Sequence, residues 1–399
     1  MKLLAMAATT AMLAAAQDWP QHLGPKRNGV YAGPFSEKTD GKRLWKHAAG
    51  AGFSSVAVAG GRVIAFHRLN DEEIIEAIDA ATGTTQWKHA YHTGYRDDFG
   101  FSEGPRATPA VDGGNVYTYG AEGMLTCVRL DTGKRVWQLD ARKEFGVRKE
   151  FFGAACNPLV HGGSVLMNIG GANGAGIVAI EKLTGKTRWK ALSSEAGYAS
   201  PTLAAIGGAD HALFFTRDGL VDADPSTGKI RFEHRWRSRS QASVNAATPL
   251  AHGSQVFITA SYGTGAALLD IAQGKPKVIW SGDDSLSAHY ATPVLHEGHL
   301  YGFDGRQEMG QELRCVEWST GKVKWSVPGL RAGTVTLAGG NLVVLTEGGE
   351  AQIAPASPAA YKPVKKFRVA ESLVRAYPAF SDGRMFVRTE SELAAWNVK

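Results

Sequence analysis

Apolar and polar residues alternate in this chain over short runs, as in Asn115–Tyr119, where Val116 and Thr118 oppose Tyr117 and Tyr119. That is the period of a strand and not of a helix. Glycine pairs at Gly60-Gly61, Gly113-Gly114, Gly162-Gly163, Gly207-Gly208 and Gly339-Gly340, with Thr-Gly-Lys-like sequences, supply the positive-φ positions that tight hairpins demand. The pattern predicts many short antiparallel strands.

The runs recur as a unit. Its clearest copy opens at Ala107-Thr108-Pro109-Ala110-Val111, continues through Gly123-Met124-Leu125-Thr126-Cys127 and closes at Asp131-Thr132-Gly133-Lys134-Arg135-Val136-Trp137. Related openings stand at Asn157-Pro158, Ser200-Pro201, Thr248-Pro249, Thr292-Pro293 and Tyr377-Pro378, with degenerate forms at Ser55-Val56 and Thr334-Val335. Closing aromatics follow at Trp45, Trp87, Trp137, Trp189, Phe232, Trp280, Trp325 and Phe367, spaced 42 to 52 residues apart, the length of a four-stranded blade. A single blade has two faces to bury, and radial stacking into a ring buries them while leaving only short edges. The closing strand Arg43-Leu44-Trp45-Lys46 arrives before any opening, and the last unit ends after its third strand. The expected fold is therefore all-β, an eight-bladed β-propeller of four-stranded antiparallel blades over 43–399, with the N-terminal strand completing the last blade. Residues 17–42 are expected to form a capping segment in which Trp19 covers one face.

Composition adjusts this picture only slightly. Glycine is abundant, 48 of 399 residues, and proline, at 16, is not, so the glycine serves turns and not disorder. Lys2, the apolar run Leu3–Ala15 and the small residues Ala14-Ala15-Ala16 predict a signal peptide over 1–16, with no Cys after it to carry a lipid anchor. A periplasmic or secreted protein is expected, without a transmembrane segment. Cys127, Cys156 and Cys315 are too few for a disulfide framework and lack zinc-ligand spacing; small buried apolar roles are expected. A net charge of +6 favours anionic partners weakly. The basic stretch Arg231–Arg239 reads as a solvated strand and loop, so no nucleic acid is expected, and no phosphate loop or serine-nucleophile motif appears.

The unit resembles the pyrroloquinoline-quinone (PQQ)-like propeller family over Trp45–Val398. Asp18-Trp19-Pro20-Gln21-His22-Leu23-Gly24-Pro25 is similar to the start of a large group of exported bacterial members, as are Gly104-Pro105-Arg106-Ala107-Thr108-Pro109 and Asn245-Ala246-Ala247-Thr248-Pro249. The resemblance implies one of two roles: a quinoprotein dehydrogenase of alcohols or sugars holding PQQ and calcium on the propeller axis, or a BamB-like binder of proteins without cofactor. Those dehydrogenases carry adjacent cysteines and a carboxylate base beside calcium ligands. No two cysteines are adjacent here, and Asp97-Asp98 and Asp283-Asp284 lack a matching motif and read as solvated loop acids. No cofactor, metal or catalytic residue is expected, PQQ with calcium being the alternative.

In a propeller the first strand of each blade lines the channel, so the residues just before each opening ring one mouth. They are Phe53, Arg106, Cys156 with Asn157, Tyr198, Asn245, His289 with Tyr290, Arg331, and Arg375 with Tyr377. Arg side chains there suit bidentate capture of an anion, and tyrosines supply flat contact. The expectation is a monomeric binding module for a protein or an anionic small ligand, with Arg106, Asn157, Tyr198, Asn245, His289, Arg331, Arg375 and Tyr377 as candidate contacts.

Overall fold

A computed structural model describes residues 18–149, 151–241 and 244–399; the leader expected over 1–16 lies outside them. Eight antiparallel sheets follow one another over 57–92, 110–140, 159–191, 202–235, 250–282, 294–327, 333–368 and 379–397, blades 1 to 8. Blade 8 has three strands of its own, and Arg43–Ala48 pairs with Glu392–Asn397 as its outermost strand, with Trp45 opposite Ala395. The ring is an eight-bladed β-propeller closed by its N-terminal strand. Among the described residues the only helical elements are Ala141–Phe145 and a 3₁₀ turn at Gln307–Met309.

The outer rim explains the closing aromatic and the Thr-Gly turn together. Trp87 of blade 1 lies on Gly133 of blade 2, Trp137 on Gly185, Trp189 on Gly228 and Trp280 on Gly321. A Cβ on Gly133 would lie 2.4 Å from the Trp87 ring, and its φ is 69°, so both space and backbone require glycine. Each indole also donates to a carbonyl of the next blade: Trp45 to Ala80 at 3.1 Å, Trp87 to Leu130 at 3.0 Å, Trp137 to Lys182 at 2.9 Å and Trp189 to Pro225 at 3.0 Å. The core is correspondingly distributed between blades, as where Leu166, Ile177 and Ala179 of blade 3 meet Ala212 and Phe214 of blade 4.

The proline-marked openings have a second logic. At four openings the backbone N–H before the proline faces another blade, where the side chain at the equivalent position accepts it. Asn157 accepts from Thr108, Ser200 from Asn157 at 3.1 Å, Thr292 from Thr248 at 2.9 Å, and the Tyr377 hydroxyl from Thr292. Tyr377 reaches past blade 7, whose opening lacks the proline, which accounts for a long side chain at that position. A buried N–H without such a partner is costly.

The N-terminal segment lies inside the channel: it enters antiparallel to the inner strand of blade 1, turns back, and leaves by the same end parallel to the inner strand of blade 7. Trp19 is 2% exposed and exchanges backbone bonds with Val58 at 2.9 and 2.8 Å, and Pro20 accepts from Val111 of blade 2 at 2.8 Å. Arg27, buried, donates to the carbonyls of Pro158 at 2.8 Å and Asn157 at 3.2 Å on blade 3. The chain then crosses to the far side, where Val30–Tyr31 adds a parallel fifth strand to blade 7 and the Tyr31 hydroxyl accepts from Gly383 of blade 8 at 3.0 Å.

Candidate functional site

At the end of the channel where the inner strands begin, the inserted segment forms the floor of a cup of about 230 Å³. The inter-blade connections 93–109 and 141–158 form one side of its wall, and the turns carrying Tyr262 and Gln307-Glu308 in blades 5 and 6 form the other. Each part is held by local chemistry. The Asp97 carboxylate accepts from the N–H groups of Phe99 at 3.2 Å, Phe101 at 2.8 Å and Ser102 at 2.9 Å, which folds the loop and turns Phe101 toward the cup. Asp140 caps the helix Ala141–Phe145, accepting from Arg142 and Lys143, and Phe152 N–H donates to the Tyr198 hydroxyl at 2.8 Å.

Six of the eight candidate contacts line the cup: Arg106, Asn157, Tyr198, His289, Arg375 and Tyr377, joined by Phe53 and Tyr290. Two do not. Asn245 is buried and donates to the carbonyls of Thr216 at 2.8 Å and Trp236 at 3.0 Å, a structural role that leaves Val244 and Ala246 facing the cavity. Arg331 is exposed outside the cup, because blade 7 has the extra parallel strand on its inner side and a different entry. Cys156 is also turned away, its thiol buried against Asn168 N–H at 3.3 Å, and burial pushes it up to about 11. The residues that sequence reasoning missed are His22, Ser55, Phe101, Thr108, Phe152, Tyr262, Gln307 and Glu308. Most sit on connections or on the inserted segment, outside the repeat that guided the selection.

The cations are not alone. Asp97, whose side chain is fully buried and not a solvated loop acid, pairs with Arg106 at 3.2 Å. Burial alone would raise its carboxyl, but backbone N–H groups and Arg106 hold it below the usual range. Arg106 also donates to Ser102 O at 3.2 Å and lies 5.9 Å over the rings of Phe53 and Phe152. Arg375 differs. Its Nε donates to Glu347 at 3.1 Å, where the Tyr290 hydroxyl also donates at 2.7 Å, and its guanidinium stands 5.1 Å from Phe53 and 5.2 Å from Phe101. Its two terminal nitrogens have no hydrogen-bond partner among the described residues. His289 bridges Tyr262 at 3.3 Å and Gln307 at 3.2 Å, and burial lowers it.

At the floor, His22 packs edge-on against Tyr377 with centroids 5.3 Å apart. Burial, reinforced by Arg27, pushes its imidazole down to about 3, so it is neutral. Neither ring nitrogen has a hydrogen-bond partner among the described residues, Nδ1 being fully enclosed. The Ser55 and Thr108 hydroxyls beside it donate to no protein acceptor there either. No group of three or more His, Cys, Asp or Glu side chains among the described residues is arranged to hold a metal ion. No helix among them is long and apolar enough to cross a membrane.

The family model described as outer membrane protein assembly factor BamB matches residues 35–93 and 70–327. No curated protein matches the chain. Among solved structures, BamB from Moraxella catarrhalis is similar with a TM-score of 0.68 at 14% identity, covering 90% of this chain and 98% of its own. Quinohemoprotein alcohol dehydrogenase from Comamonas testosteroni is similar with a TM-score of 0.72 at 15% identity, over 96% of this chain and 80% of its own. The computationally designed Ika8 protein has a TM-score of 0.58 at 14% identity, over 93% and 99%. Identities this low speak for the fold alone, and a designed ring shares it with an assembly factor and an enzyme.

Proposed function

This chain belongs to the PQQ-like propeller family whose model is described as outer membrane protein assembly factor BamB, and from that premise we propose that it is an exported, non-catalytic binding module. The cup holds an anionic ligand, free or borne on a protein partner. The observation that carries this is Arg375, a half-buried guanidinium fixed by Glu347 and two phenyl rings, with both terminal nitrogens unengaged. A planar fork of donors held in that way suits a carboxylate.

The quinone-dependent alternative draws on the likeness to the alcohol dehydrogenase. The donor set does not fit it. Calcium takes six to eight oxygen ligands. The wall carboxylates are Glu308, ion-paired with Arg306 at 3.4 Å, and, behind Arg375, Glu347, which already serves Arg375 and Tyr290. The three cysteines are separately buried.

Thermal denaturation of wild type and Arg375→Gln with a panel of carboxylates, phosphates and an acidic peptide tests the proposal. At least one anion raises the wild-type Tm, by an amount that grows with the logarithm of its concentration, and leaves the variant unmoved. No anion doing so overturns the site. Dye reduction with an alcohol after loading with PQQ and calcium overturns the non-catalytic part.

A further inference from the structure

Resting on that anion-binding role, we propose that the cup selects a small planar acid carrying a hydrogen-bonding group at the end opposite its carboxylate. Arg375 holds the carboxylate, and His22 with Ser55 and Thr108 reads the far end.

The polarity of the cup runs in three tiers. At the rim, one cation alone has donors to offer, since Arg106 is held by Asp97, Ser102 O and Gly104 O. Phe53 and Phe101 approach the Arg375 guanidinium. A guanidinium donates in its own plane, so rings against its faces leave its edge for a single carboxylate. The waist is aromatic, formed by Phe53, Phe152, Tyr198, Tyr290 and Tyr377, and favours a flat apolar body. The floor is polar again: with Nδ1 enclosed, the neutral imidazole leaves Nε2 as the ring nitrogen a ligand can reach, and the hydroxyls of Ser55 and Thr108 line the same cavity.

A simple inorganic anion meets only the first tier. It leaves the waist unfilled and His22 Nε2 without a partner, in a place where an unsatisfied polar group is unfavourable. The cup's volume of about 230 Å³ limits the body between the two ends to a small one.

Isothermal titration of the full chain with benzoate, 4-hydroxybenzoate and 4-hydroxybenzyl alcohol tests the proposal. Wild type binds 4-hydroxybenzoate about tenfold more tightly than benzoate, the worth of one good hydrogen bond, and does not bind the alcohol. His22→Phe keeps the edge contact with Tyr377 and brings the two acids to equal affinity, while Arg375→Gln weakens both. Thr108→Val, nearly isosteric, reduces the preference and guards against a misfolded His22 variant, with the Tm confirming that each variant is folded. Equal affinity of the two acids in wild type, or a preference that survives both floor substitutions, overturns this inference and leaves anion capture standing. So does binding of an acidic peptide where neither acid binds. Absence of binding by any anion overturns both.

Discussion

The outer rim and the cup are built on the same ring by opposite means. At the rim one contact recurs, an indole lying on a glycine turn with its N–H on a neighbouring carbonyl, and six of the eight closing positions use tryptophan. At the cup nothing recurs: Arg106 is pinned by a carboxylate, its counterpart Arg375 is half engaged, Asn245 is a buried staple, and His22 comes from outside the repeat altogether. Repetition specifies the ring, and departures from repetition specify what the ring can hold.

The largest effect should come from breaking the rim. Gly133→Val drives a branched side chain into Trp87 at a left-handed backbone position, and a loss of about 3–5 kcal/mol is expected in denaturant unfolding. Gly274→Ala is the control: the same φ sign at 71°, no atom within 4 Å, and a cost of about 1–2 kcal/mol. Equal losses at the two sites would show that backbone strain alone, and not the indole contact, sets the rim.

A smaller effect distinguishes the two junctions flanking blade 1. Glu73 and Glu76 lie three residues apart on Glu72–Asp79 and so face opposite sides of the sheet. Burial pushes Glu73 up to about 7, against the bonds it accepts from Tyr91 and Ala121. For Glu76 burial also acts upward, but His67, Thr85, His47 and Lys88 outweigh it and hold the carboxyl at about 2. The folded state thus favours protonated Glu73, and its contribution to stability is present below about pH 4.5 and lost as pH rises to about 7. Glu76 contributes above about pH 4.5 and loses that contribution as pH falls toward 2. Glu73→Gln should flatten the fall of Tm between pH 5 and 7, and Glu76→Gln should flatten the acid limb, each on the order of 3 kcal/mol at its extreme. A Glu73→Gln profile parallel to wild type would refute the assignment. The smallest effect belongs to Arg331→Gln, outside the cup: stability within about 0.5 kcal/mol and an unchanged ligand Kd. A lost ligand there would move the site outward.

The ring was legible from the chain because its determinants are local and repeated: Pro109, Gly133 and Trp137 carry their message within one unit. The mouth was legible in part, since the position before the opening lines the cup in most blades. Asn245 and Arg331 escaped because side-chain direction depends on what the neighbouring blade offers. His22 escaped because inserting a segment into the ring leaves no periodic mark. The positive φ values at Leu23, Gly24 and Arg27 that coil this segment do not distinguish a plug from an ordinary loop.

The pairing of Lys42 with Asn397 has a consequence for biogenesis. The portion of the polypeptide synthesised first completes the architecture last, because neither its channel strand nor its rim strand has a partner until blades 7 and 8 exist. Throughout elongation, blades already formed keep an unpaired flank and an open bore, and contacts of such wide sequence separation form slowly. A nascent chain of this kind benefits from being kept from its neighbours until its final residues emerge.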